Sequence, residues 1–141
     1  MSNQLPTATG LTLLEAGVGF LTAVVGTSLV AALFALWSWP ERVIAPAAVI
    51  LQSIPILCVA PLLSLWFGPK LGSKIAASFI VCFFPLLSGW SSGIKSVNPD
   101  EKDLFITFGA SKYQLARYLI FPRSLPFFFS GLKVAAPLSI L

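Results

Sequence analysis

Few residues in this chain of 141 have side chains suited to covalent chemistry. There is no histidine, which removes the usual general base and the commonest metal ligand. The two cysteines, Cys58 and Cys82, stand inside apolar runs. They are expected to be small buried hydrophobes rather than a disulfide or metal ligands. The run Gly68-Pro-Lys-Leu-Gly72-Ser-Lys74 faintly matches a phosphate-binding loop. Its glycines are too close together, and Ile75 stands where Ser or Thr would coordinate magnesium. No strand precedes it, so it reads as an external turn. The chain is not expected to hydrolyse ATP, to act as an enzyme or to carry a cofactor of its own.

The chemistry that remains is recognition, and it is concentrated in one polar segment ending in SKYQLARYLIFPRSLP, residues 111–126. Asn98 can cap a helix, Pro99 suits the first helical position, and Asp100 and Glu101 favour its positive end. With Glu101 three residues after Asn98, a capping box is expected. This helix should run through Asp103, Leu104, Phe105 and Phe108 and stop at a left-handed Gly109. Ser111 and Gln114 form a second capping pattern. The helix they start should carry Leu115, Tyr118 and Leu119 on one face and end before Pro122. Ser124 is then expected to cap the next helix, with Pro126 in its first turn. Two short amphipathic helices joined by a glycine turn suit either a surface loop resting on lipid headgroups or a docking surface for a partner.

Apolar elements must position this segment. Hydrophobic residues make up 57% of the chain and charged residues 10%, with a mean hydropathy of +0.91. A soluble domain carries about 25% charged residues, so the bilayer is the expected solvent. The expected fold is an all-α polytopic membrane protein of three full transmembrane helices plus the start of a fourth. The first span covers Ala16–Trp39, with Trp37 and Trp39 at the interface. The second covers Val43–Pro69 and should be broken or kinked by Pro46, Pro55 and Pro61. The third runs Ile75–Ile94 and the fourth begins after Arg123. The basic residues behind the net charge of +4 cluster mainly in one loop, as topology signals do, and no nucleic-acid partner is expected. Placing residues 95–123 inside the cell also places Arg42 inside, offset by Glu41, and leaves Lys70 and Lys74 outside. The N-terminus is uncharged, unlike the basic start of a signal peptide. The chain stops on Ser139-Ile140-Leu141 within an apolar helical pattern, as a fragment or truncated product would.

Other residues invite a role in a solute path. Gly89-x-x-x-Gly93, with Ser78, Cys82 and Pro85 or Leu86, makes a small-residue stripe suited to close helix packing or to lining a path. Lys133, inside the fourth span, is either a snorkelling or gating charge or an attractor of an anionic substrate. Gln52 and Ser53 flank Pro55, where a broken helix frees backbone groups. Glu15 reads as a helix-start charge at the outer end of the first span.

The run DLFITFGASKYQLARYLIFPRSLP resembles the cytoplasmic signature loop of ABC importer permeases of the binding-protein-dependent type. In that loop an acidic residue and two alanines precede a glycine by fixed steps, and an isoleucine and a Leu-Pro pair follow it. Here these positions are Asp103, Leu104-Phe105, Gly109, Leu119 and Phe121-Pro122. The spacing is kept; the departures are Asp for Glu, Leu-Phe for the alanines, Leu119 for isoleucine and Phe121 for leucine. QSIPILCVAPLLSLWFGPKLGSK and PRSLPFFFSGLKVAAPLSI resemble the branch that imports nitrate, taurine, sulfonates and thiamine-precursor pyrimidines. The resemblance runs from about Leu14 onward. Relative to that branch, one helix is missing before residue 1, and the end of the fourth span and at least one further helix are missing after Leu141.

The resemblance implies a multi-pass permease of the bacterial inner membrane, dimeric around a central path. It implies a separate ATPase subunit that binds ATP and grips the loop, and an extracytoplasmic binding protein that delivers the solute. Asp103, Leu104, Phe105, Phe108, Gly109, Lys112, Arg117 and Pro122 are the expected coupling residues, with Lys102 as a further charge. Gln52, Ser53, Gly89 and Lys133 are the candidates for the path, and a basic residue is usual in the family at the position of Lys133, near the inner gate. The competing readings are a small membrane anchor or assembly protein that recruits a cytoplasmic partner, and a passive channel.

Overall fold

The structure, a computed structural model, describes residues 4–68 and 71–140. Lys70 and the side chain of Gln52 lie outside the described residues. The elements in order are α1 (Gln4–Leu36), α2 (Ser38–Gln52), α3 (Ile56–Phe67), α4 (Leu71–Lys95), α5 (Pro99–Thr107) and α6 (Lys112–Leu115). A π-helical turn over Ala116–Ile120 then leads into α7 (Phe121–Leu138). The described residues form helices and connections and no strand.

Two stretches are long and apolar enough to cross a membrane, Thr12–Leu36 in α1 and Leu71–Lys95 in α4. The helix of the first begins at Gln4, well before the expected Ala16, because residues 4–15 contain no helix-breaking pair and only one charge. Glu15 therefore stands inside α1 and not at its start. The expected second span is divided into α2 and α3 at Ser53–Pro55. Only Pro55 breaks the helix; Pro46 and Pro61 lie inside α2 and α3. The fourth expected span corresponds to α7, which carries Arg123, Lys133 and three prolines and does not reach the length and apolarity of α1 and α4.

The centre of the fold is α4, with α1 against one side and α7 against the other. Small residues permit this closeness. A Cβ on Gly19 would lie 2.6 Å from the Ser78 Cβ, and one on Gly93 would lie 2.6 Å from the Ser124 Cα. A Cβ on Gly131 would meet the Pro85 carbonyl at 3.0 Å. Between these contacts lie Ala23, Ala31, Cys82, Leu86, Phe128 and Ala135, all buried. Trp90 stacks on Phe128 with ring centroids 4.6 Å apart. Cys82 is a buried thiol, as expected, whereas Cys58 is exposed on α3.

Three hydroxyls of α1 are satisfied locally. Thr22, Thr27 and Ser28 each donate to a carbonyl four residues back along α1. No water is available in hydrocarbon to do this. Charge collects at the two ends of α4. Lys74 lies 3.0 Å from Glu15 at one end. At the other, Lys95 lies 3.8 Å from Glu41, which also accepts a hydrogen bond from Ser91 at 3.0 Å. Glu41 thus faces α4. At the helical rise, residues 74 and 95 stand about 31 Å apart. The hydrocarbon core of a bilayer is about 30 Å thick, which the separation of the two ion pairs matches. Trp37 and Trp39, both exposed, belong to the Glu41 end.

Candidate functional site

At that end the chain leaves α4 and builds the polar segment. Val97 is the plug: it is buried with Phe34, Ile94 and Ile120 and fixes where the segment leaves the bundle. Asn98 caps α5, its side-chain oxygen accepting from the Asp100 N–H at 3.1 Å. Pro99 follows in the first helical position, where its missing N–H costs nothing. The capping box expected here does not form. The Glu101 carboxylate turns away from the cap and pairs with the Arg123 guanidinium at the start of α7.

α5 ends in a tight and fully bonded turn. Gly109 has φ +77°, a conformation that costs other residues dearly. Its N–H donates to the Ile106 carbonyl at 2.9 Å, and the Ala110 N–H reaches the Phe105 carbonyl at 3.0 Å. This paired pattern is the Schellman stop. One residue later Ser111 opens α6 with the expected capping box: its hydroxyl accepts from the Gln114 N–H at 3.3 Å, and the Gln114 side chain accepts from the Ser111 N–H at 2.8 Å. Two bonded helix ends therefore meet back to back across Gly109 and Ala110, and little slack is left between them.

The second short helix differs from expectation. It does not end before Pro122. From Lys112 the chain stays helical to Leu138, so Ser124 caps nothing; it is buried in the helix and donates to the Ile120 carbonyl at 2.7 Å. The physical reason is the turn at Ala116–Ile120, where the Phe121 N–H reaches back five residues to the Ala116 carbonyl. That wider turn accommodates the missing N–H of Pro122 within a continuous helix. Pro122 thus lies within a continuous rod, and its side chain is exposed.

Four of the expected coupling residues come together. Leu104, Phe105, Phe108 and Gly109, with Gln114 and Tyr118, surround an open groove of about 450 Å³ on the outside of the segment. Phe108 is 82% exposed and Leu104 is 55% exposed. Nothing in α5 is buried. Ile106, Tyr113 and Tyr118 enlarge the exposed apolar surface; of these, Ile106 and Tyr113 were not among the expected residues. An apolar residue between two anchors on a short capped helix is the signal that points to Ile106. Asp103, Lys112 and Arg117 are exposed beside the groove but do not line it, and they form no ion pair among the described residues. Lys102 is half-buried. No sequence rule links Glu101 to Arg123, and that pair was missed.

Among the described residues, Ser53, Gly89 and Lys133 do not line a common cavity, and the side chain of Gln52 lies outside them. Ser53 is exposed at the break between α2 and α3, its hydroxyl donating to the Val49 carbonyl at 3.2 Å. Gly89 lies where α4 and α7 cross, and a Cβ there would be 2.8 Å from the Phe127 carbonyl. It also borders a shallow groove with Ser88, Ser92 and Ser130. Lys133 is exposed on α7 outside that groove and makes no ion pair among the described residues. Among the described residues no cluster of His, Cys, Asp or Glu could hold a metal ion.

The family described as binding-protein-dependent transport system inner membrane component matches residues 23–141. The chain is 41% identical over 101 residues to the formylaminopyrimidine transport permease protein of Halalkalibacterium halodurans, which covers 72% of this chain and 40% of that protein. It is 35% identical over 101 residues to the riboflavin transport system permease protein of Chloroflexus aurantiacus, covering 72% of this chain and 38% of that one. A probable ABC transporter permease protein of Haemophilus influenzae is 35% identical over 127 residues, 90% of this chain and 52% of its own length. The chain spans roughly half or less of the length of these relatives.

Proposed function

Because the chain belongs to the binding-protein-dependent transport system inner membrane components, we propose that it is the membrane-spanning permease part of an ATP-driven ABC importer. Residues 1–141 act as one membrane domain with three spans and the start of a fourth, and residues 95–123 form its cytoplasmic loop. The observation that carries this reading is the groove around Gly109: apolar, exposed, and held between two bonded helix ends. A loop that only connected two spans would not need Phe108 and Leu104 in water.

In this reading a separate ATPase subunit binds ATP and receives α5 in a cleft. Leu104, Phe105 and Phe108 are the apolar anchors, and Asp103, Lys112 and Arg117 supply rim charges that orient the encounter. Gly109 and Pro122 set the angle of the lever. Closure of the ATPase moves the loops of two permease copies and switches the path between inward and outward access. A binding protein outside the cell delivers a small solute of the sulfonate, nitrate, taurine or pyrimidine-precursor kind. Gln52, Ser53, Gly89 and Lys133 belong to or border the path. The protein resides in the bacterial inner membrane and is not itself an enzyme.

Affinity purification of the full-length permease with its ATPase tests the docking. Replacing the 82%-exposed Phe108 by Asp should cut the ATPase retained by about 30-fold or more, the loss expected for a central anchor. Equal retention by Phe108→Asp and wild type would refute the docking role. Retention without any stimulation of ATP hydrolysis by a binding protein would favour a small membrane anchor that merely recruits a partner.

A further inference from the structure

We propose that Glu101 and Arg123 form a strut that delivers the displacement of α5 to α7, and that both are positioning residues of the coupling loop. The inference rests on the docking reading above and adds which helix is driven. α5 has no buried residue and rests mainly on α6. Its attachments are therefore few. One is Val97, whose burial beside Ile120 anchors the approach from α4. Another is the bonded turn at Gly109. The third is the ion pair between Glu101, in the first turn of α5, and Arg123, in the first turn of α7.

Together these close a triangle. One side is α5. The second is the helix from Lys112 through the π-turn. The third is the Glu101–Arg123 pair, which spans 22 residues of sequence. A triangle resists shear where a hinged pair of rods does not. The second side continues into α7 without a break, so a push on α5 rotates or shifts α7 as one body. The second oxygen of Glu101 is covered and finds no hydrogen-bond donor among the described residues, which leaves Arg123 as the polar partner of that carboxylate. Arg123 is half-exposed and serves no other acceptor there. Neither residue borders the groove around Gly109, so removing the pair leaves the docking surface unchanged.

The test uses the full-length permease in nanodiscs with its ATPase and binding protein, comparing Glu101→Gln, Arg123→Gln and the exchange Glu101→Arg with Arg123→Glu. Retention of the ATPase should stay at the wild-type level in all three. Binding-protein-stimulated ATP hydrolysis should fall about 1.5- to fivefold in each single variant, the factor an ion pair of this exposure is worth. The exchange should restore it. A general folding defect would lower retention and stimulation together and would not be rescued by the exchange. In parallel, spin labels on the exposed positions Ile106→Cys and Ser130→Cys, in a Cys58→Ser background, read the distance between α5 and α7 without the ATPase. Its distribution should broaden in both single variants. An unchanged distribution, or full stimulation in the single variants, overturns the strut while leaving the docking reading intact. Loss of the wild-type ATPase complex overturns both.

Discussion

Gly109 offers the sharpest quantitative test, because its environment separates conformation from contact. Its φ is +77°, yet a Cβ built there would meet no atom within 4 Å. Substitution is therefore penalised by the backbone alone. Alanine in the left-handed region costs roughly 1–2 kcal/mol. Asparagine, which tolerates that region, costs less. Proline cannot adopt a positive φ at all, and it also deletes the 2.9 Å bond from the Gly109 N–H to the Ile106 carbonyl, a further loss of about 1 kcal/mol. A cost of 1–2 kcal/mol changes the population of the turn by about 5- to 30-fold. In the reconstituted full-length permease with its ATPase, binding-protein-stimulated hydrolysis should fall in the order Gly, Asn, Ala, Pro. Gly109→Ala should lose roughly fivefold or more, and Gly109→Pro should show no stimulation while still inserting into the membrane. Wild-type stimulation in Gly109→Ala, or a poorer rate for Asn than for Ala, would refute the argument from backbone conformation. Surviving stimulation in Gly109→Pro would refute the lever itself.

Two further predictions concern the bundle and are read by detergent titration of the full-length protein, following tryptophan fluorescence. Gly93→Ala places a Cβ 2.6 Å from the Ser124 Cα, so α4 and α7 must part by about 1 Å to reach ordinary contact, at about 1–3 kcal/mol. Gly17→Ala, with nothing within 4 Å, should be neutral or up to about 1 kcal/mol stabilising, and equal effects at both sites would contradict the close crossing. Glu41→Ala strands the buried Ser91 hydroxyl and frees Lys95, at about 1–3 kcal/mol, whereas Glu41→Gln keeps an acceptor for Ser91 and should cost less. If glutamine proves worse than alanine, the hydrogen bond is not what holds α2 to α4.

Local signals in the chain were legible and distant ones were not. The stop at Gly109 and the Ser111–Gln114 box depend on residues within a few positions of one another, and both formed as read. The small-residue stripe of α4 was visible because helical periodicity is itself local. The prolines were harder. Pro46, Pro55 and Pro61 look alike in sequence, yet only Pro55 interrupts the helix, and Pro122 does not end one. Proline costs the helix a hydrogen bond everywhere; whether the chain breaks or bends depends on what packs around it. Glu101 was assigned to the nearest cap, but an arginine 22 residues on competed successfully for its carboxylate. Glu15 with Lys74, and Glu41 with Ser91, are pairs of the same kind. Each exists only once α1, α2 and α4 are side by side.

The widened turn at Ala116–Ile120 also sets an angular phase. An ordinary helix advances about 100° per residue, and a π-bulge is one residue inserted into that count. Faces assigned by periodicity from Lys112 onward are therefore misaligned with those of α7 beyond Phe121. Deleting any one residue of the five would let the rod regularise. The groove around Gly109 would keep its direction about the axis of α7, because the widened turn already absorbs the extra residue; winding the same five residues into an ordinary helix with none deleted is what would swing it by about a quarter turn. A protein wound that way would present an unaltered key in the wrong orientation, so the wide turn aims the key without being part of it.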